Sequence, residues 1–383
     1  MNSNVIVLAL GLYKGSGGVN KSVQTFQRAL NAKVVSWVDP RKIEQEPLIW
    51  ENSEIVFGSR LPVLNKLLCP QIGQSQSIER KFSSAKMITC HSFWRWHNQW
   101  VAKFSSRTNI PYLFVPHGSL DPYVFEKDRV AKWMFLKFGG RNFIQQAACV
   151  IFSTRGERDK AMKVCQPRRA EVIYWPLEKQ DFERVHDPAA RYRVRERHQI
   201  PPAARCLLFF GRLHPMKRPL ETIEAIAAAR QPNVHLIIVG NAYGITDAEC
   251  RAHADRLGVG RQVHVIGPVY GLEIADYFSA SDAYISLSAR ENFNYTAAEC
   301  LAAGLPAILS PGNDLVLELK NVDCGWFLQD DRAETAVAAI QSFCQGTEDE
   351  LRLKGVSGKQ WTARELSFKS FENRLRSLIM ELT

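Results

Sequence analysis

"SLSARENFNYTAAECLAAGLPAILS", Ser286 to Ser310, reads as the end of one strand, a loop, a helix and the next strand. The apolar run Ala283–Leu287 closes in a polar loop. A helix is predicted from about Asn294 to Ala303, stopped by Gly304 and Pro306, and strand Ala307–Ser310 follows. Glu299 is the only charge in a helix otherwise rich in Ala, Cys and Leu. Such a helix is apolar nearly all round and is expected to be buried. A carboxylate placed there needs a hydrogen-bond donor, for instance a ligand hydroxyl. Glu291 precedes the helix, on the loop leaving the strand. Eight residues at ~100° each would leave the two carboxylates about 80° apart even on one helix. They are therefore expected to touch different parts of one ligand. The structural alternative is a helix-start glutamate favoured by the dipole and a second one paired with a core arginine.

The same alternation runs outward in both directions. Candidate strands are Val5–Leu10, Lys33–Trp37, Ile55–Phe57, Lys86–Thr89, Tyr112–Val115 and Val150–Ser153. They resume at Cys206–Phe210, His235–Val239 and Val263–Ile266, before the two already named. Strands alternating with helical patterns predict parallel sheets flanked by helices. A polar, charged stretch from about Pro176 to Ala204 separates two such series. The expected α/β fold is two Rossmann-like domains with parallel sheets facing across a cleft, where ligands would bind beyond the strand ends. Residues 1–178 form the first, 179–204 a linker and 205–360 the second. Residues 361–383 are read as a helix packing back on the first.

The bulk properties bound the function. The chain has 383 residues, 46% hydrophobic and 23% charged, which suits a soluble two-domain protein. No apolar run approaches the roughly 20 residues that span a bilayer. The start, MNSNVIVLALGLYKG, lacks a basic region and cleavage site, so no signal peptide is expected. Nine cysteines lie singly, without C-x-x-C, as core filler in a reducing compartment. Residues 1–180 hold 26 Lys+Arg against 13 Asp+Glu, a charge of +13. The remainder is −3. The basic half is expected to face something anionic: a membrane, a phosphorylated acceptor or nucleic acid.

Two further loops suit phosphate. "GSGGVNKS", Gly15–Ser22, follows the first strand and opens a helix carrying Val19, Val23, Phe26 and Leu30. Its amides can approach an anion. Asn20 stands where the ATPase loop needs glycine and also breaks the dinucleotide fingerprint. A plain βα turn explains the loop equally well. "FFGRLHPMKRPLETIEAI", Phe209–Ile226, puts Arg212 and Lys217 between a strand end and a helix. Two cations there suit a diphosphate, or are solvated surface charges.

In this order the motifs resemble retaining glycosyltransferases of the GT-B fold, glycosyltransferase family 4. Glu291 and Glu299 match that family's E-x7-E. "FGRLHPMKRP" is similar to its G-R-x-x-x-x-K-G diphosphate segment, and "GSGGVN" to its N-terminal G-G-V loop. "PHGSLDPY", Pro116–Tyr123, is similar to a segment of bacterial polysaccharide and lipid-linked members, and "CGWFL", Cys324–Leu328, also fits. Three departures stand out. The family usually has glycine where Asn294 and Arg218 stand, and "VIYWPLE" replaces its P-N-G-[IV]-D. The resemblance implies a nucleotide-diphosphate sugar as donor, with Glu299 on the ribose and Arg212 and Lys217 on the diphosphate. Amides of Gly17 and Gly18, and of the helix start at Asn292, Phe293, Asn294 and Thr296, would add donors. Glu291 would orient the sugar near the anomeric carbon, and His117 would lie beside it. His91 and Asp121 are candidate acceptor contacts. The acceptor would be a glycan or a polyprenyl-diphosphate-linked glycan, as in bacterial surface polysaccharide biosynthesis. No metal or other cofactor is expected, since fixed cations stand in for one and no D-x-D sits at a strand end. "EDE" at Glu348–Glu350 has the spacing in a polar stretch.

Two aromatic-basic segments bear on location. Phe93, Trp96, Trp100 and Phe104 in "HSFWRWHNQWVAKF" fall on one helical stripe. "KWMFLKFGGR", Lys132–Arg141, has the same mixture. Either is core or contacts an anionic membrane surface, which would place a cytoplasmic protein peripherally on the inner face of the membrane. Two rival functions remain. A GT-B-like nucleotide-sugar epimerase or hydrolase would release or isomerise the sugar without glycosylating an acceptor. A nucleic-acid-binding protein would explain the basic charge, but no helix-turn-helix, RNP or zinc motif supports it.

Overall fold

The computed structural model describes residues 4–12, 18–38, 52–57, 75–95, 97–126, 128–177 and 187–383. The chain divides into two compact units, Met1–Pro176 with Phe368–Thr383, and Leu177–Ser367.

The first unit holds a seven-stranded sheet: β1 (Val5–Leu10), β2 (Lys33–Val38), β3 (Ser53–Phe57), β4 (Met87–His91), β5 (Tyr112–Val115), β6 (Cys149–Phe152) and β7 (Ala170–Val172). Their order is β3-β2-β1-β4-β5-β6-β7, with every pairing parallel. The second unit has six: β8 (Arg205–Phe210), β9 (Val234–Val239), β10 (Val263–Gly267), β11 (Ala283–Ser286), β12 (Ala307–Leu309) and β13 (Gly325–Phe327). They run β10-β9-β8-β11-β12-β13, also all parallel. Near-continuous apolar runs such as "VIVLAL" and "VHLIIV" make strands buried on both faces. Leu8, Val35, Ile88, Phe114 and Phe152 centre one core, and Leu207, Leu236, Ile238, Ile285 and Phe343 the other.

Both orders reverse beside the first strand, between β1 and β4 and between β8 and β11. Chains leaving adjacent strands there diverge, which opens a crevice at the strands' carboxyl ends. Two strands were not predicted. β7 and β13 have three residues each, too short to show a period.

The stretch read as a linker, 179–204, contains a helix, Pro188–Arg197, capped by Asp187 and belonging to the second unit. It escaped because its buried face includes a charge. Arg195, almost fully buried, bonds Asp282 at 2.9 Å and the carbonyls of Ala280, Pro202 and Ala204. The C-terminal stretch read as one helix is two, Glu348–Glu365 and Phe368–Leu382. "EDE" is the first turn of the former, fixed by a capping box between Thr347 and Glu350. The latter lies on the first unit. Phe371 meets Phe26 at 5.3 Å and Trp175 at 6.0 Å, and Arg28 stacks on Phe368.

The aromatic stripe needs correction as well. The helix starts at His97, so Phe93 is not on it, and Trp96 lies outside the described residues. Phe93 and Phe104 are buried, and Trp100 packs on Phe82, Phe104 and Trp37. These rings are core.

Candidate functional site

In the second unit, the loops leaving β8 and β11 meet at the reversal of strand order. After β8 the chain turns at Gly211. Glycine at 240 allows the turn: a Cβ there would sit 1.7 Å from the Gly211 carbonyl oxygen. Leu213 is bound to the Asn241 carbonyl at 2.8 Å, and a short turn, Pro215–Lys217, follows, with the His214 ring accepting from the Met216 amide. The Met216 carbonyl accepts from the Ala289 amide at 2.9 Å, tying the two loops together.

The β11 loop is held from its other side by the loop after β12. The Glu291 amide donates to Gly312 at 2.8 Å, and its carbonyl accepts from Asp314 at 2.9 Å. Gly312 presses so close that a Cβ would lie 2.2 Å from the Ser288 carbonyl oxygen. Beneath runs a buried polar network. Asn294 donates to Asn313 at 2.6 Å, and Asn313 donates to the Ser286 carbonyl and the Ser310 hydroxyl. The Asn294 side chain also accepts from the Ala297 amide, capping the helix Tyr295–Ala302. A satisfied buried network of this kind rigidifies what it supports.

Between the loops lies a cavity of about 360 Å³. Arg212, Lys217 and Arg290 line it, with Glu291, His214 and Asn292. Lys217 is ion-paired to Glu291. Arg212 stacks over Tyr243 at 4.9 Å. Three cations against one carboxylate make this an anion site, of the size of a small-ligand pocket. Arg212, Lys217, Glu291 and Asn292, all named from the sequence, converge here. Phe293 is buried against Tyr295, so only its backbone could serve a ligand. Asn294 works beneath the loop. Thr296 and Glu299 are half-buried on the helix, outside the cavity lining. Burial pushes the Tyr295 phenol up, and the Glu299 carboxylate adds to the shift. Arg290 and His214 were missed, although Arg290 adjoins Glu291 and a count of cations on the two diverging loops would have found it.

The first unit brings together a different set. Gly18 begins the helix Gly18–Leu30 and is exposed, while Gly17 lies outside the described residues. His91 ends β4 and His117 follows β5, and their rings meet at 2.9 Å between His91 Nδ1 and His117 Nε2. His91 is fully buried, with Phe26 set edge-on at 4.8 Å. Burial holds both pKa values down, that of His117 at about 4. His117 has a left-handed backbone, φ 51°. The turn is pinned by Glu157, which accepts from the Gly118 amide at 2.6 Å and from the Ser153 amide and hydroxyl. Burial raises the Glu157 pKa, which these donors oppose. The T-x-x-E spacing of Thr154–Glu157 was a readable helix-start signal. Asp121 accepts from Tyr123 N at 2.9 Å, with Lys160 at 3.6 Å.

Residues 191–356 match the family described as "Glycosyl transferases group 1". The match spans most of the second unit, including the whole cavity. Among curated relatives, the D-inositol 3-phosphate glycosyltransferase of Jonesia denitrificans is 24% identical over 212 residues, 53% of this chain and 50% of its own length. The GDP-mannose:cellobiosyl-diphosphopolyprenol alpha-mannosyltransferase of Xanthomonas campestris is 26% identical over 219 residues, 57% of this chain and 54% of its own. The chain thus spans about half the length of the curated relatives it matches. Among solved structures, HepE of Anabaena in complex with UDP superposes with a TM-score of 0.77 at 16% identity, covering 98% of this chain and 99% of that one. The fold is GT-B.

Proposed function

We propose that this chain is a retaining, family 4 glycosyltransferase. It moves a sugar from a nucleotide-diphosphate sugar to a glycan or polyprenyl-diphosphate-linked acceptor, in bacterial surface polysaccharide biosynthesis. The observation that carries the reading is the three-cation cavity at the β8/β11 reversal, with Glu291 in it. The names of the Xanthomonas relative and the Anabaena complex agree with such donors and acceptors.

In the proposed reaction the bond between the anomeric carbon and the diphosphate oxygen breaks, and its electron pair leaves with the diphosphate. An acceptor hydroxyl oxygen bonds to the anomeric carbon from the same face, and the hydroxyl proton passes to the departing diphosphate oxygen. Arg212, Lys217 and Arg290 meet that charge, so no metal is needed. Fixed cations cost no reorganisation at the moment of reaction. Glu291 is held by its backbone to Gly312 and Asp314 and addresses the sugar hydroxyls. Its pairing with Lys217 keeps the lysine aimed into the cavity until a phosphate shares it. Glu299 holds the ribose, and amides from Asn292 to Thr296 and at Gly17 and Gly18 add donors. His117 contacts the sugar, and Asp121 belongs to the acceptor side.

The enzyme is proposed to work at the cytoplasmic face of a membrane. The helix Arg129–Phe135 and the kinked turn after it expose Val130 (73%), Trp133, Met134 and Phe138 (62%), while Leu136 is buried. Lys137 lies 5.0 Å from the Trp133 ring. Apolar side chains interleaved with lysines suit an anionic bilayer surface. Among the described residues, no helix is long and apolar enough to cross a membrane.

The test is product analysis with UDP- and GDP-linked sugars and lipid-linked or glycan acceptors, with EDTA present throughout. A glycosylated acceptor of retained anomeric configuration is expected. Free or isomerised sugar without transfer would favour the epimerase or hydrolase reading, and loss of transfer in EDTA would overturn metal independence.

A further inference from the structure

The histidine pair in the first unit leaves open which ring donates, and Thr89 answers it. Thr89 Oγ1 lies 3.4 Å from His91 Nε2, and both residues are fully buried. Two proton orders are possible. In one, His91 carries its proton on Nε2 and donates to the Thr89 oxygen, and His117 donates to His91. The Thr89 hydroxyl hydrogen then has no acceptor in a dry site, since no other partner stands near it among the described residues. In the other, Thr89 donates to His91 Nε2 and His91 Nδ1 donates to His117 Nε2, so both fully buried donors are satisfied and the one donor left over, Nδ1–H, falls on His117, which is only half-buried. Leaving a buried donor unmade is the costlier state. Burial keeps both rings neutral at neutral pH, so each carries one proton.

We infer that Thr89, His91 and His117 form a one-way hydrogen-bond chain that makes His117 a donor through Nδ1, not a proton acceptor. His91 is then a positioning residue that acts through His117 and does not touch the acceptor itself. The packing is built for this. Phe26 blocks rotation of the His91 ring, Trp175 stands 5.8 Å from the His117 ring, and Glu157 pins the turn at Gly118. His117 Nδ1 has no partner among the described residues. A fixed Nδ1–H suits an oxygen of the ligand, a sugar hydroxyl or a glycosidic or phosphate oxygen. It is the wrong group to deprotonate an acceptor hydroxyl. The functional meaning rests on the reading of His117 as a sugar contact, but the proton order can be read without a ligand.

The experiment is long-range 1H–15N correlation on the full chain, labelled at histidine, at neutral pH, with His117 assigned by its loss in His117→Gln. The expected spectrum shows His117 and His91 both protonated on Nδ1. In His91→Phe the His117 proton should move to Nε2 or distribute over both nitrogens. In His91→Asn, whose amide can still donate, it should stay on Nδ1. Circular dichroism confirms that each variant is folded. Wild-type His117 protonated on Nε2 would overturn the inference, and so would a tautomer unchanged in folded His91→Phe. The wild-type spectrum alone decides if neither variant folds. Separately, folded His117→Ala with full transfer activity would sink the sugar-contact reading while leaving the proton order intact.

Discussion

Asn294 and Arg218 share a backbone that suits neither equally, at φ 51° and φ 55°. These are the two positions where the resembled family usually has glycine, and the left-handed conformation is the physical reason for that glycine. The two departures are resolved differently. Asparagine tolerates the conformation best among non-glycine residues, and here its side chain caps a helix and binds Asn313. Arg218 carries the full strain, and its ion pair to Asp331, at 3.0 Å, is half in solvent. Such a pair contributes at most about 1 kcal/mol. Asn294→Gly should therefore destabilise by about 1–3 kcal/mol, through the unpaired buried partner it leaves. Arg218→Gly should stay within about 1 kcal/mol of wild type, because relief of ~1–2 kcal/mol of strain offsets the lost pair and the entropy of glycine. Urea denaturation of both variants measures this, and the reverse ranking would contradict it. The sequence displayed both departures, but their shared conformation became visible only with the backbone. Likewise Lys217 and Glu291, 74 positions apart, read as separate groups with separate duties until the fold paired them.

At the scale of elements, two segments with the same composition had opposite fates. In the helix His97–Thr108 the rings fall at helical spacing toward the sheet and are covered. In Lys132–Arg141 Leu136 and Gly140 are buried while Trp133, Met134, Lys137 and Phe138 stay exposed, because the backbone kinks at Phe138 and Gly139. Composition could not separate the two cases, since the kink depends on φ 135° at Gly139, where a Cβ would meet the Gln99 side chain at 2.2 Å. Trp133→Glu with Phe138→Glu should leave the thermal midpoint nearly unchanged while abolishing flotation with phosphatidylglycerol vesicles at low salt. A wild-type protein that never floats would instead leave a soluble acceptor as the partner. The start of the helix at His97 has its own signature. The ring is fully buried, with no partner for either nitrogen among the described residues, and burial lowers its pKa to about 3. The unfolded chain protonates such a ring near 6.5. Between those values the unfolded state binds more protons, so stability is whole above pH ~6.5 and falls as pH drops, by up to about 1.4 kcal/mol per unit per ring. His117 and His91 add to the fall, whereas Glu157, with its raised pKa, opposes it. Stability measured at pH 7 and pH 5 should change less in His97→Phe than in wild type; equal changes would show that His97 does not resist protonation.

Across the whole molecule, the strand runs and their alternation were legible because parallel sheets bury both faces and leave near-continuous apolar segments. The division of the chain was harder to read. Arg195 satisfies its charge inside the second unit, so a buried helix looked like solvated linker, whereas the helix Phe368–Leu382 packs on the first unit as expected from the sequence. Half of the site was legible, namely the groups on loops after β8 and β11, where strand order forces divergence. Arg290 and Glu157 were overlooked: the sequence sets Arg290 beside Glu291 and Glu157 in a T-x-x-E helix start, but neither signal says what the side chain faces once folded. The central claim is that the second unit binds a nucleoside diphosphate and divides the ribose and the sugar between Glu299 and Glu291. Calorimetric titration of UDP and GDP into wild type, Glu299→Gln and Glu291→Gln tests it most directly. Wild type should bind at least one of them. Glu299→Gln should bind it more weakly, having lost the ribose contact. Glu291→Gln should bind it as tightly or more tightly, because Lys217 is no longer shared, even as its turnover falls. No binding by wild type, or weakened binding in Glu291→Gln with full affinity in Glu299→Gln, would contradict the account.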